Sequence, residues 1–317
     1  MSLKMLNSDN LFDGKLTFSP DDQGKSGRRF GLLSYSTDNL GDDIQSLAAL
    51  QFLPNIDFFV ERDRISSFKN EQKLNLIMNG WFMGRKSWPP SNCINPCFTS
   101  FHLSTYAYPE YGQDPSSWLL NDESVEYFRH FQPIGCRDLR TAELLDERGI
   151  SCYFSGCLTL TFSAQNYSGE RREILLVDVN ANIASLFNSI PAKLRKNVAA
   201  ISHDTGVGYV PELRLNLSAQ LLGRYSRAHL VVTSRLHCLL PCLALGTPVL
   251  FIQPKIDLLR FTGYEGFYHL CEIENGEAKH LIPWEQPEPN PSKHIAAQKI
   301  LKSEVQRFIG GEVPSNS

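Results

Sequence analysis

Arg235 and His237 stand two residues apart in the run VVTSRLHCLLPCLALGTPVLF, Val231 to Phe251, where an apolar strand gives way to an apolar helix. Ser234 or Thr233 is suited to cap that helix, and Leu236, Leu239, Leu240 and Leu243 form its buried stripe, so Arg235 and His237 flank the first turn. A helix N-terminus already carries about half a positive charge. Two further basic groups there are unfavourable without a partner, and an anion resolves the conflict. Phosphate or carboxylate oxygens would accept from the free amides and from the guanidinium fork, with His237 in reach to move a proton. The competing reading pairs Arg235 with a distant Asp or Glu and packs His237 in the core.

Other groups able to do chemistry lie at further strand ends. In STDNLGDD, Gly41 suits a tight turn and Asn39 or Asp42 can cap a helix, which is as good an explanation of those residues as ligand contact. NGWFMGRKSWPPS and FHLS carry Trp81 and Trp88, plates that could stack on sugar faces, with Asn79 and His102 as polar neighbours; Trp81 as plain core is equally open. GCRDLRTAELL sets Arg137 and Asp138 at another strand-to-helix junction, either paired together or with Arg137 as a second cation for the anion. In SGCLTLT, Ser155, Gly156 and Thr159 permit close backbone approach, and His203 ends the strand of AISHDT.

The elements that must hold these residues alternate. RRFGLLSYS reads as a strand leading to the helix IQSLAALQFL; DFFV, KLNLIMNGWF, CFTSFHLS and QPIGCRD follow as apolar runs, and LRTAELLDERGI is a helix closed by Gly149. After the polar SAQNYSGERR, a second series gives strands in EILLVDV, NVAAISHD, HLVVTS and PVLFIQ, and helices in ASLFNSIPAKLRK, ELRLNLSAQLLGRYSRA and RLHCLLPCLALG. The last helix, KHIAAQKILKSEVQRFIG, is long enough to run back to the first half. Such alternation predicts an α/β protein with mostly parallel sheets. We expect two Rossmann-like domains facing a cleft: an N-terminal extension over 1–28, domains over 29–165 and 166–290, and a C-terminal helix and tail over 291–317.

The 317 residues carry a net charge of −3 and no long basic block, which argues against nucleic acid as a partner. No run approaches the roughly 20 apolar residues of a membrane span and no signal peptide opens the chain, so a cytoplasmic location is expected. Cysteines inside apolar runs, such as Cys136, Cys238 and Cys242, read as buried thiols. Cys93 and Cys97 lack a second Cys/His pair at zinc-site distance, so no metal and no bound cofactor are expected.

In four motifs, in order, the chain resembles the polysaccharide pyruvyl transferase family: NLGDD, IGCRDLRTAELLDERGI, SGCLTLTF and the Arg-Leu-His stretch with its following Gly-x-Pro. The resemblance implies a two-domain fold of the glycosyltransferase-B type. It also implies an enzyme that moves the pyruvyl group of phosphoenolpyruvate, a co-substrate, onto a saccharide acceptor as a ketal in exopolysaccharide synthesis. Carried over, Arg235 and the backbone at Leu236 bind the donor's anionic groups, His237 is the acid-base residue and Arg137 helps to neutralise phosphate. Where many members have a run of glycines, this chain has NGWFMG, which puts the acceptor sugar in doubt more than the donor. A nucleotide-sugar glycosyltransferase and a non-catalytic subunit of a glycan-assembly complex are the rival readings. Peripheral contact with lipid-linked glycan machinery and a homo-oligomer stay open.

Overall fold

The computed structural model describes residues 3–5, 16–20, 27–82, 87–106, 114–163, 170–206, 208 and 210–311. Most of the expected N-terminal extension, residues 164–169 of the expected linker, the end of NGWFMG and the tail after 311 lie outside them.

The chain is mixed α/β with parallel sheets. An antiparallel ribbon of β1 (Leu3–Met5) and β2 (Phe18–Pro20) precedes the first half. There follow β3 (Arg29–Ser34), α1 (Leu40–Leu50), β4 (Phe58–Glu61), β5 (Leu74–Ile77) and β6 (Ile94–Cys97). They form a parallel sheet in the order β4-β3-β5-β6. Then come α2 (Ser116–Leu119), α3 (Asp122–His130), β7 (Ile134–Cys136), α4 (Leu139–Asp146) and β8 (Cys152–Phe154), with β7 and β8 parallel. Parallel bridges Trp81–His102 and Phe101–Cys136 carry the first sheet across to β7.

The second half runs β9 (Ile174–Val177), α5 (Ile183–Ser189), β10 (Val198–Ile201), α6 (Pro211–Arg227), β11 (Leu230–Thr233), α7 (Leu236–Ala244), β12 (Val249–Phe251) and β13 (His269–Leu270). Its strands form a parallel sheet ordered β10-β9-β11-β12-β13. A small hairpin of β14 (Ile273–Glu274) and β15 (Glu277–Ala278) and the long α8 (His294–Gly310) complete the described chain.

Burial explains why these runs are strands. Ile174, Leu175, Leu176 and Val177 of β9 are all inaccessible, as expected for a central parallel strand covered on both faces. One core joins α1, α6, α7 and the 3-10 turn Leu158–Thr161, and α8 seals it with Leu301 and Val305. Gln298 Nε2 donates to Leu160 O at 2.8 Å, and Arg28 Nη1 donates to the carbonyls of Phe308 and Ile309 at the end of α8. The final helix thus does return to the first half.

Two expected elements differ. The strand expected over Cys97–Ser104 lies earlier, at Ile94–Cys97, because Ser100 takes a left-handed φ of 57° that no strand accommodates. The helix expected over 184–196 ends at Ser189, since Pro191 forces Ile190 into extended backbone.

Candidate active site

The site begins where the first strand's turn is stitched to the second sheet. Asn39 caps α1 by accepting from Gly41 N at 2.9 Å, which fixes the Asn39–Gly41 turn. That turn is bound to the end of β10: Leu40 N donates to His203 O at 3.0 Å and Thr205 N to Asp38 O at 3.2 Å. Gly41 is required by closeness rather than by its φ. A Cβ there would sit 3.2 Å from both His203 Nδ1 and His237 Nδ1.

Helix α7 delivers its N-terminus to the same place. The N-cap position is Arg235, not Ser234 or Thr233 as the sequence suggested, and no side chain caps the helix. Ser234 Oγ instead donates to Asp178 O at 2.6 Å, and Thr233 Oγ1 accepts from Arg235 N at 3.0 Å. Uncapped, the amides of Leu236 and His237 have no acceptor among the described residues. Arg235 is held by two carboxylates: Nε donates to Asp178 at 2.9 Å and Nη2 to Asp204 at 2.5 Å. Its Nη1 has no partner among the described residues. The pairing of Arg235 with distant acids is therefore real, yet one arm of the guanidinium stays unpaired.

A cavity of about 260 Å³ opens at this junction, walled by Asn39, His203, the start of α7 from Ser234 to His237, and the segment carrying Asp257 and Arg260. Ser104 Oγ donates to Asp257 Oδ1 at 3.2 Å, tying that segment to the first half. His237 is buried and its Nε2 has no partner. Burial, then the charges of Arg137 and Arg260, push its pKa well below the usual imidazole value. Arg137 is buried with Nε and Nη2 unpaired; its nearest carboxylate oxygen, on Asp138, is 3.9 Å away. Burial and then Arg260 pull its pKa down. Arg260 also has an unpaired Nε, with Asp257 at 3.7 Å. The pocket holds neutral imidazole, free amides and incompletely neutralised guanidinium, which is an arrangement for receiving an anion and moving a proton.

Asn39, His203, Ser234, Arg235, Leu236 and His237 thus share one cavity, with Gly41 against its imidazoles and Arg137 beside it. His203 Nε2 lies 2.7 Å from the Tyr225 hydroxyl while its Nδ1 is unpaired. The other residues singled out from the sequence do not line this cavity, although His102 acts electrostatically on His237. Asp42 accepts from Thr37 Oγ1 at 2.9 Å and from the buried Arg62 at 3.4 Å. The guanidinium of Arg62 sits over the Trp81 ring at 5.5 Å. Asn79 Nδ2 donates to Gln45 O at 2.7 Å beneath α1. His102 Nδ1 meets Asp138 Oδ2 at 2.5 Å; burial first and Arg137 next lower its pKa to about 4, so a neutral ring donates to an ionised carboxylate. Ser155 and Thr159 turn inward, Ser155 bonding Cys136 O and the Ser100 amide and Thr159 bonding Cys157 Sγ. Trp88 packs among Phe82, Phe98 and Phe128.

Asp178, Asp204, Asp257 and Arg260 were not found from the sequence. The one signal was VDV: an acidic residue directly after a fully buried strand is poorly explained by solvation alone. Among the described residues no group of three His, Cys, Asp or Glu side chains is placed to hold a metal, and no helix is long and apolar enough to cross a membrane.

Fold and site together define an α/β protein with a cavity, lined by unpaired polar and basic groups, where the first βα turn meets a helix N-terminus. The family model for polysaccharide pyruvyl transferase matches residues 39–255, which contain Asn39, Gly41, Arg137, His203, Arg235 and His237, and the chain belongs to that family. No curated protein matches the chain. Two solved structures are distantly similar. A functionally uncharacterised protein of Klebsiella pneumoniae shares 12% identity over 78% of this chain and 93% of its own, with a TM-score of 0.46. The glycotransferase of kitacinnamycin shares 9% over 89% and 97%, with a TM-score of 0.36. Likenesses at this distance carry neither activity nor ligand across.

Proposed function

We propose that this chain transfers the pyruvyl group of phosphoenolpyruvate to a saccharide acceptor, forming a ketal in the synthesis of an exopolysaccharide, in a two-lobed arrangement with the donor on the second half and the acceptor on the first. The observation that carries the reading is the convergence of Asn39, His203 and the uncapped Arg235-Leu236-His237 start of α7 on one cavity, with Arg137 and Arg260 alongside. Family membership supplies the transferase class.

In this mechanism the donor's negative charge offsets Arg137 and Arg260, so His237 takes up a proton as the donor binds. His237 gives that proton to the methylene carbon of the enol. The adjacent carbon becomes cationic and one acceptor hydroxyl adds to it, losing its proton to the imidazole. Phosphate then leaves with the C–O bonding pair and takes the proton from the imidazolium, and a second hydroxyl closes the ketal as its own proton passes to the neutral imidazole. The guanidinium groups of Arg137 and Arg260 stabilise the departing phosphate.

The test is calorimetric titration with phosphoenolpyruvate beside an assay of acceptor-dependent phosphate release with a panel of cell-surface polysaccharides. The wild-type chain is expected to bind phosphoenolpyruvate saturably. His237→Ala is expected to lose about 100-fold or more in turnover while keeping donor affinity within threefold. No donor binding by the wild type, or undiminished turnover in the variant, overturns the reading.

A further inference from the structure

We infer that Arg260, with Arg137 beside it, receives the phosphoryl end of the donor, and that Arg235 receives its carboxylate. The inference rests on the donor reading above and divides the site into two subsites; the family resemblance gave Arg137 to the phosphate, but the sequence neither singled out Arg260 nor assigned the carboxylate.

The division follows from how much positive charge each arginine has left. Arg235 already faces two aspartates within hydrogen-bond distance, Asp178 and Asp204, and offers only Nη1. A singly charged carboxylate, sharing the amides of Leu236 and His237, suits that remainder.

Arg260 and Arg137 differ in kind. Their nearest carboxylate oxygens stand at 3.7 and 3.9 Å, beyond hydrogen-bond length. Asp138 is moreover engaged by His102 at 2.5 Å and by the Thr141 amide at 2.9 Å. Nε of Arg260 and both Nε and Nη2 of Arg137 are buried with no partner. Burying guanidinium nitrogens unpaired is costly, and placing two such groups where each acts on the same imidazole adds to the cost. A phosphoryl group, with up to two charges and three acceptor oxygens, satisfies both cations at once. Arg260 lines the cavity wall while Arg137 is almost wholly enclosed, so Arg260 makes the first contact.

Probes that carry one anionic group each separate the subsites. The full chain is titrated with phosphoenolpyruvate, inorganic phosphate and pyruvate, as wild type, Arg260→Ala, Arg260→Lys and Arg235→Ala. Arg260→Ala is expected to weaken inorganic phosphate and phosphoenolpyruvate at least tenfold with pyruvate within twofold, and Arg260→Lys to recover much of the loss. Arg235→Ala is expected to do the reverse, losing pyruvate while keeping inorganic phosphate. If the wild type binds phosphoenolpyruvate and Arg260→Ala binds phosphate equally well, the inference falls and the donor reading stands. An equal loss of phosphate and pyruvate in Arg260→Ala also overturns it, since a general effect on the pocket then suffices. Failure of the wild type to bind phosphoenolpyruvate removes the donor reading and this inference with it.

Discussion

Arg235 Nε donates to Asp178 Oδ2 across 2.9 Å, joining the start of a helix to the end of a strand 57 residues earlier. Asp178 is the hub of this corner. It takes a left-handed φ of 52°, accepts from Ser202 Oγ at 2.5 Å and from the His203 amide at 3.0 Å, and its carbonyl accepts from Ser234. Burial pushes its carboxyl up, but those bonds and the Arg235 charge outweigh burial and hold it below the usual carboxylate range. A strained backbone persists only where surrounding contacts over-determine it, and here they do.

Asp178→Asn keeps a side chain that tolerates this backbone but removes the charge that orients Arg235. The variant is expected to lose roughly 1–2 kcal/mol in urea unfolding and at least tenfold in turnover. Inorganic phosphate affinity should stay within threefold, because Arg137 and Arg260 are untouched. Unchanged turnover and unchanged stability together would mean that the pair does not form in solution.

Gly41→Ala sets two effects of similar size against each other. Alanine gains about 1 kcal/mol of helix propensity in α1. The added methyl would meet Asn39 Oδ1 at 2.9 Å and the Nδ1 atoms of His203 and His237 at 3.2 Å, and crowding of this kind costs about 1–3 kcal/mol. Stability should therefore change little, within about 1 kcal/mol, while turnover falls at least tenfold because both imidazoles must shift by tenths of an ångström. Full activity in a stably folded variant would show that the rings need no such placement.

Parallel strands buried on both faces and helices with one apolar stripe were readable along the chain because each signal is local. So was the conflict of charge at α7, where two basic side chains crowd one helix start. The partners that settle the conflict were not readable. Asp178 and Asp204 reach Arg235 across 57 and 31 residues, and Arg260 is a single cation in the apolar run DLLRF. Ser155 and Thr159 looked available because they are small and polar, but such residues serve equally well to satisfy buried backbone, which is where the fold uses them. His102 and Trp81 share an isolated bridge beyond the ends of β5 and β6, yet no periodicity in the sequence shows that Asp138 and Arg62 occupy their polar faces.

Arg214 of α6 and Asp43 of α1 pair at 2.7 Å, both almost wholly enclosed, and so lock the first half to the second. Removing one member leaves the other charge buried without its opposite charge. Asp43→Ala is expected to cost about 3–5 kcal/mol, whereas the apolar double substitution Asp43→Leu with Arg214→Met should recover most of it. Denaturant unfolding of the three variants decides the matter. A small loss in Asp43→Ala would mean that water reaches Arg214.

The histidine at 102 predicts how stability responds to acid. Its ring has a pKa of about 4 in the folded protein, depressed by burial and by Arg137 against the pull of Asp138, whereas an unfolded chain titrates it near 6.5. Between these values the unfolded state binds a proton that the native state refuses. The contribution is therefore complete above pH 6.5, drains as pH falls, and stops falling near pH 4. His237 and His294, also depressed, act in the same sense. Asp43, which burial raises to about 6, acts in the opposite sense between pH 6 and its unfolded value, so the wild-type curve alone is ambiguous. Comparison with His102→Gln isolates the ring. The stability of the wild type relative to this variant should decline by about 2–4 kcal/mol from pH 6.5 to 4. A constant difference across that window would mean that His102 is protonated in the native protein and pairs with Asp138 as an imidazolium.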